Sequence, residues 1–206
     1  MDQLQQALEN YKEVMGKYFV YTLDDGRKII LKCGKRNLKH LLGLHKLLDR
    51  PHLSKSPPDR VFKSINEGKI TFACLKTSKY FNEIEYRIKF FDILPILTNS
   101  KYIIDFDPSK LQNCKLQSKF LFFKIEIEAN KPIYLYLGIR ERSEKPQIYC
   151  PETFIVQRRQ PDKYCRNQKL VQIKNVRILS QQRVRRLKKV RKYGTKKLLL
   201  QKGNNG

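Results

Sequence analysis

The sequence predicts an α+β domain in which N-terminal helices pack on a mainly antiparallel sheet, followed by a basic C-terminal tail. Apart from one hairpin, apolar residues recur at helical spacing through the first 97 residues, and β-branched and aromatic runs follow from residue 102. After Asp162 there is no Asp or Glu, although 15 of the 44 Lys and Arg follow it. We therefore assign residues 1–179 to one domain and residues 180–206 to a tail that is helical or disordered.

The chain begins with a predicted helix and a predicted hairpin. Residues 2–16 place apolar side chains at helical spacing, which indicates an amphipathic helix (Leu4, Leu8, Tyr11 and Met15). The stretch "KYFVYTLDDGRKIILKC" then predicts two strands joined at "DDG", which is a turn sequence typical of hairpins.

Three further helices are predicted before residue 100. Asn37 is expected to cap a helix containing "LKHLLGLHKLL". "RPHLSKSPPD" predicts a loop, and Asp59 at its end is expected to cap a helix, "RVFKSINEG", that stops at Gly68. "NEIEYRIKFFDILPIL" places apolar residues on one face, which predicts a longer helix that Pro95 bends or ends (Ile84, Ile88, Phe91 and Leu94).

The second half of the domain is predicted to be a sheet. Its apolar runs are "YIIDF", "FLFFKIEIEA", "IYLYLGIRER", "TFIVQRR" and "LVQIKNVRIL", and their short polar connections indicate an antiparallel meander. Within "FFKIEIEA", apolar residues at 123, 125 and 127 alternate with charged residues at 124, 126 and 128. The apolar set is expected to be buried and the charged set to face water.

The charge indicates a polyanionic partner. The formal net charge is +25, far more than solubility requires, so nucleic acid or an anionic membrane surface is expected to bind. No apolar run approaches the roughly 20 residues that span a bilayer. The polar start "MDQLQQALENYKE" is unlike a secretory signal, and five scattered cysteines without a CxxC pair fit a reducing cytosol better than a zinc site or a disulfide framework.

Familiar catalytic motifs are absent, and no cofactor or metal is expected. The sequence contains no Walker loop, GxGxxG, HExxH or GxSxG. Asp105 and Asp107 would share one face of a strand, but no third carboxylate accompanies them in the pattern.

The stretch "GKRNLKHLLGLHKLLD" could carry acid–base chemistry or be an ordinary amphipathic helix. On a helix, four leucines share one apolar side and two more extend it, with His45 in its middle, whereas His40 lies at its edge near Arg36 and Lys39. Neighbouring cations disfavour protonated His40, which suits a general base. A glycine in mid-helix costs roughly 1 kcal/mol relative to alanine, so Gly43 suggests close approach by another segment or a ligand. In the other interpretation, both histidines only pack the helix.

The order of these features resembles the fourth family of phage-associated nuclease domains grouped with barnase, EndoU, the E5 and D colicins and RelE. The resemblance covers roughly residues 5–178, and "NLKHLLGLHKL" is its most specific part. It continues through "FKSINEGKI", "NEIEYRIKFFDILPIL" and the late strand with "PETFIV".

This resemblance implies a metal-independent endoribonuclease of toxin or effector type, from a phage or mobile element, without a cofactor. It matches His40 to a family histidine and Thr153 to a late hydroxyl-bearing strand, and it implies RNA and an immunity or antitoxin protein as partners. Arg140 and Arg142 are our own inference from charge: at period two on one strand, they could hold a phosphate. His45 is expected in the core and His52 in a surface loop.

Cations outside the catalytic set are expected to bind nucleic acid (Lys35, Arg36, Lys39, Arg158, Arg159, Lys163, Arg183, Arg185, Arg186, Lys188, Lys189, Arg191 and Lys192). The alternative function is a non-catalytic RNA- or DNA-binding protein that uses this surface and the tail. A membrane-surface role for the tail is a third interpretation, since Val184, Leu187 and Val190 form a modest apolar stripe.

Overall fold

The structure is a computed structural model, and it describes residues 2–142, 145–160 and 162–180, with backbone only for residues 145 and 146. In this part of the chain the helices are α1 (Gln3–Val14), α2 (Asn37–Leu41), α3 (Pro51–Ser54), α4 (Pro58–Asn66), α5 (Phe72–Lys76), α6 (Glu85–Lys89) and α7 (Leu94–Leu97). The strands are β1 (Tyr18–Leu23), β2 (Lys28–Lys32), β3 (Tyr102–Asp105), β4 (Phe120–Glu128), β5 (Lys131–Arg142), β6 (Lys145–Gln157) and β7 (Lys169–Leu179). The α+β prediction is confirmed. The predicted basic tail from residue 181 onward lies outside the described residues.

The predicted antiparallel sheet closes on itself as a barrel, which the sequence did not indicate. The strand order is β1-β2-β6-β5-β4-β3-β7, and β7 returns to pair with β1. The pairings are antiparallel except for β2 with β6, so the mainly antiparallel character is confirmed. The predicted meander holds for β3 to β6 but is wrong for β7, which pairs with β3 and β1 instead of β6. Closure follows because β1 pairs on both of its edges, which joins the N-terminal hairpin to the C-terminal strands.

Two predicted helices are interrupted. The helix expected over "LKHLLGLHKLL" ends at Leu41 because Gly43 adopts φ 78°, and a 3-10 turn, Leu44–Lys46, follows. The longer helix expected before residue 97 is divided into α6, α7 and the 3-10 turns Phe81–Glu83 and Phe91–Ile93. Its apolar residues are nevertheless buried as predicted, and Pro95 lies in the first turn of α7 instead of ending a helix.

Neither predicted helix cap caps a helix. Asn37 is the first residue of α2, and its side chain accepts a hydrogen bond from the Gly34 backbone N–H at 2.9 Å. Helix α4 begins at Pro58 without a side-chain cap, while the Asp59 carboxylate binds Arg36 at 2.7 Å. The stop at Gly68 is confirmed, with φ 70° just beyond α4.

The faces of β4 are the reverse of the prediction. Phe120 and Phe122 face the main core, so Lys124, Glu126 and Glu128 continue the same face toward the rim. The opposite face carries Ile125 and Ile127, whose exposures are 46% and 73%.

Two clusters of apolar residues hold the domain together. The main core contains the inward side chains of the strands and the side chains of the helices that cover them. For example, the rings of Phe91 and Phe154 are perpendicular, with their centroids 5.7 Å apart. A second cluster on the outer side of the sheet contains Ile104, Phe106, Leu121 and Tyr136. Helices α2 and α6 pack against β6, which sets up the candidate site. In the described ranges, no helix combines the length and apolar character that crossing a membrane requires.

Candidate active site

Helix α2 is fixed to the edge of β6. β6 pairs with β2 only through Ile148 and Tyr149, and beyond them α2 lies against this strand. The Asn37 side-chain amide donates a hydrogen bond to the Pro151 carbonyl at 2.9 Å. His40, one turn farther along α2 and exposed to solvent, is thereby held close to β6.

His40 forms a stacked pair with the second histidine of its segment. The rings of His40 and His45 are parallel within 10°, with centroids 4.2 Å apart. His45 is half-buried, and its Nδ1 atom is buried with no hydrogen-bond partner among the described residues. Burial, followed by the neighbouring His40, lowers the pKa of His45 to about 4. His45 therefore contacts the candidate catalytic residue, whereas the sequence predicted it to be a core residue.

The surroundings of His40 favour its neutral form. Partial burial of the ring is the main cause that lowers its pKa, and the Arg87 guanidinium is the second. Arg140 and Lys39 act in the same direction, while the Glu152 carboxylate opposes them by favouring the protonated ring. The imidazole is consequently available to accept a proton near neutral pH, with a carboxylate close enough to stabilise the imidazolium that results.

Gly43 allows Arg87 to approach this histidine pair. A Cβ atom on residue 43 would lie 2.9 Å from Ile84 Cγ2 and 3.1 Å from Arg87 Cδ. The Arg87 guanidinium donates to the Leu41 carbonyl at 3.5 Å, and no carboxylate of the described residues lies within ion-pair distance of it. Burial lowers the Arg87 pKa to about 10, so the side chain remains a cation at neutral pH. The close approach that Gly43 suggested is therefore made by Arg87.

A β-bulge in β6 presents Glu152. Gly138 of β5 pairs with Thr153, and the next residue, Ile139, pairs with Pro151, so Glu152 is the extra residue. Its carboxylate accepts hydrogen bonds from the Gln117 backbone N–H at 3.1 Å and from the Ser118 hydroxyl. These bonds hold the carboxylate in one orientation.

Gly138 makes room for this arrangement. A Cβ atom on residue 138 would overlap Ser118 Oγ and lie 2.9 Å from Thr153 Cγ2. Any larger residue would have to displace the serine that binds Glu152.

The other predicted catalytic residues lie around this cluster. Arg140 and Arg142 line one cavity of about 720 Å³ together with Asn37 and Lys119. Thr153 is 6% exposed and lines a separate cavity of about 330 Å³ with Arg87. The structure therefore brings Arg140 and Arg142 to one cavity, whereas Thr153 faces the other.

Several predicted nucleic-acid-binding cations are engaged within the protein. Lys39 is 9% exposed, and its ammonium donates to the Ser54 and Ser56 carbonyls at 2.8 and 2.6 Å. Lys35 and Arg36 both pair with Asp59, at 3.6 and 2.7 Å.

Three more of these cations line other cavities, and the rest are not described. Arg158 pairs with Glu128 at 3.4 Å and lies over the Tyr86 ring, while Arg159 and Lys163 are exposed and line other cavities. The tail cations lie outside the described residues (Arg183, Arg185, Arg186, Lys188, Lys189, Arg191 and Lys192).

Sequence reasoning missed Arg87, Glu152 and Ser118. Arg87 lies in "NEIEYRIKFF", whose helical spacing indicates only an apolar face, and Glu152 immediately precedes Thr153 in "PETF". The unexplained Gly43 was the one signal that pointed toward Arg87.

Within the described ranges, no group of three or more His, Cys, Asp or Glu is arranged to hold a metal ion. Asp105 pairs with Arg27 at 2.8 Å, and Asp107 accepts hydrogen bonds from Ser109.

Comparison with protein families gave one match to the whole domain. The family model described as phage-Barnase-EndoU-ColicinE5/D-RelE like nuclease 4 matches residues 3–191. This is the family that the sequence resembled, and the match extends past residue 178 into the first part of the basic tail. Searches of curated proteins and of solved structures returned no match.

Proposed function

The chain belongs to the phage-Barnase-EndoU-ColicinE5/D-RelE like nuclease 4 family, and from this membership and the site at β6 we propose that it is a metal-independent endoribonuclease. The proposed reaction is attack of the RNA 2′-hydroxyl on the adjacent phosphorus. The observation that carries this proposal is the position of His40, which is held beside β6 by the bond of Asn37 to Pro151 and stacks on His45. The directions of its pKa shift, set by burial, arginines and the bulged Glu152, agree with that position.

His40 is proposed as the general base. It takes the proton of the 2′-hydroxyl, the 2′-oxygen bonds to phosphorus, and the bond from phosphorus to the 5′-oxygen breaks as that oxygen takes up a proton. The products are a 2′,3′-cyclic phosphate and a 5′-hydroxyl. Glu152 favours the imidazolium formed at His40, and its bonds to Ser118 and Gln117 keep it in position for that role.

Arginines are proposed to stabilise the charge that develops on the phosphate. Arg87 brings a cation that forms no ion pair with a carboxylate of the described residues, although Glu83 favours its charged form, and Arg140 is exposed on the other side of the bulge. Such a preorganised cation typically contributes a factor of about 10²–10³ in rate. Because the chain's own side chains can provide both proton transfer and charge stabilisation, we expect cleavage to persist in EDTA.

A cellular role as a toxin or effector of a phage or mobile element is part of the proposal, supported by the family's name alone. An enzyme that cuts RNA endangers the cell that makes it. An immunity or antitoxin protein is therefore included among the proposed partners.

The test is cleavage of single-stranded RNA by the purified protein in EDTA, with identification of the product ends. His40→Ala should lower the cleavage rate by about 10²–10⁴, the usual share of acid–base catalysis, with RNA affinity within about threefold of wild type. The matched control is His52→Ala, which removes an exposed histidine on α3 and should leave the rate unchanged.

Three outcomes would contradict the proposal. If RNA binds but is never cut, with or without divalent metal, the protein is the non-catalytic binding module. If His40→Ala cleaves at the wild-type rate, another residue is the base. If His40→Ala unfolds the domain, the histidine is a packing residue.

A further inference from the structure

A basic groove runs across the barrel beside the candidate site. One cavity of about 510 Å³ is lined in part by Lys110 and Lys169, and the neighbouring cavity of about 720 Å³ by Arg140 and Arg142. Both cavities are lined by Lys119, so the two cavities are neighbours on the surface. We use "basic groove" for the surface carrying these five cations.

The cations of the basic groove are available to a ligand. In the described parts of the chain, none of the five lies within 4.0 Å of a carboxylate oxygen. All five are exposed, and the Lys110 ammonium makes one bond, to the Asn167 carbonyl at 3.1 Å. Other cations, such as Arg36 and Arg158, are held in ion pairs.

The carboxylates of the groove are already occupied. Asp105 pairs with Arg27 at 2.8 Å, Asp107 accepts from the Ser109 N–H at 3.0 Å, and Glu141 accepts from the Gln147 N–H at 2.6 Å. Within the described residues, only Asp105 of these three is in an ion pair, so Asp107 and Glu141 keep their negative charge. The hydrogen bonds from Ser109, followed by Lys110 and Lys119, lower the pKa of Asp107. The five cations outnumber these acidic groups, so the groove keeps a positive potential.

We propose that the basic groove binds a single strand of RNA on its way past the catalytic cluster. This inference rests on the proposed function, and it assigns substrate-binding roles to Lys110, Lys119 and Lys169. Gln117, which lines both cavities, is tied through its backbone N–H to Glu152, so the groove passes directly beside the bulge.

The size of the groove suits a single strand. Cavities of roughly 300–1,000 Å³ enclose molecules of about the size of one or two nucleotides. Positively charged grooves that follow the backbone are the usual means of binding single strands, and unpaired bases can enter adjacent cavities.

The test compares two triple variants with equal loss of charge. The groove variant carries Lys110→Ala, Lys119→Ala and Lys169→Ala. The control carries Lys17→Ala, Lys76→Ala and Lys79→Ala, which removes three exposed lysines that line neither cavity. Both should unfold at the wild-type temperature.

Binding is measured by fluorescence anisotropy with a 2′-O-methyl RNA of 12 nucleotides, which cannot be cleaved by 2′-attack, over a series of salt concentrations. A plot of the logarithm of the association constant against log salt has a negative slope, and each lost phosphate contact should reduce its magnitude by about 0.7. The slope of the groove variant should therefore be smaller in magnitude by about 2, and its affinity should fall at least tenfold. The control should stay within about threefold of wild type.

Equal losses in the two variants would overturn the groove, as would a groove variant that loses affinity for single-stranded DNA but not for RNA. This binding assay does not depend on turnover. If wild-type protein never cuts RNA but only the groove variant loses RNA binding, the proposed cleavage reaction is wrong and the RNA-binding role of the basic groove is supported. If RNA is cut and the groove variant binds normally, the groove alone is wrong.

Discussion

Gly43→Ala should damage both the stability of the domain and its candidate site. A left-handed backbone costs an alanine about 1–2 kcal/mol relative to glycine. The new Cβ would also lie 2.9 Å from Ile84 Cγ2 and 3.1 Å from Arg87 Cδ, and overpacking of this kind costs about 1–3 kcal/mol. The free energy of unfolding should therefore fall by roughly 2–5 kcal/mol.

Gly16→Ala measures the cost of the left-handed backbone alone, without the cost of overpacking. Gly16 has φ 75°, close to the 78° of Gly43, but a Cβ there would have no atom within 4 Å. Urea unfolding should show a loss of about 1–2 kcal/mol for Gly16→Ala, so the difference between the variants measures the contact with Ile84 and Arg87. We also expect slower RNA cleavage only in Gly43→Ala, because only that change moves Arg87. Equal stability of the two variants would refute the close approach.

Three further predictions address the histidine pair, the bulge and the tail. The folded protein holds the pKa of His45 near 4, below its ordinary value of 6.5. The contribution of neutral His45 to stability is therefore complete above pH 6.5 and is lost as the pH falls toward 4, by at most about 3 kcal/mol. In urea unfolding, His45→Phe should reduce the loss of stability between pH 6.5 and 4, and an unchanged loss would contradict the low pKa of His45. Gly138→Ala should slow RNA cleavage by displacing Ser118 from Glu152, and Ser118→Ala should slow it without the steric strain; wild-type rates in both variants would exclude Glu152 from the mechanism. Removal of residues 181–206 should weaken RNA binding and lower its salt dependence, because the segment carries ten Lys and Arg and no acidic residue. The melting temperature should not change. Unchanged RNA binding would show that the tail does not contact RNA.

The strands could be predicted from the sequence, but the closure of the barrel could not. Runs such as "IYLYLGIRER" have strong β-propensity and clear boundaries, so β5 and its neighbours were found. Closure depends on the pairing of β1 with β7, about 150 residues apart, and local patterns carry no information on such a register.

Alternation predicted two faces on β4 but chose the wrong one as buried. Leu121 lies in the second, outer cluster, and Phe122 lies in the main core, so both faces are covered at the start of the strand. Toward its end, the inward face carries charged side chains that reach the rim, as Lys89 bound to Glu128 illustrates. Hydrophobicity alone cannot distinguish the inside of a barrel from an outer face that loops cover.

The candidate site was predicted in part because one of its signals was local. His40 and Gly43 stand in the same short stretch, and a glycine in an apparent helix requires an explanation. Arg87 and Glu152 are 47 and 112 positions from His40, and their proximity depends on how α6 and the bulge meet α2. A bulge has no sequence signature strong enough to recognise before the pairing is known.

The burial of Arg87 is easier to explain by function than by stability. Removing a guanidinium from water costs free energy, and a carboxylate partner at ion-pair distance usually offsets that cost. Glu83 favours the charged form of Arg87, but no carboxylate of the described residues lies within 4.0 Å of its guanidinium. A methionine would pack its stem against Gly43 and Ile84 without that cost. What methionine could not supply is a cation beside His40, held by a backbone that leaves no space for a larger residue at position 43. The partner that would offset the desolvation of Arg87 is then an anion that arrives with the substrate, and the phosphate of RNA fits that role.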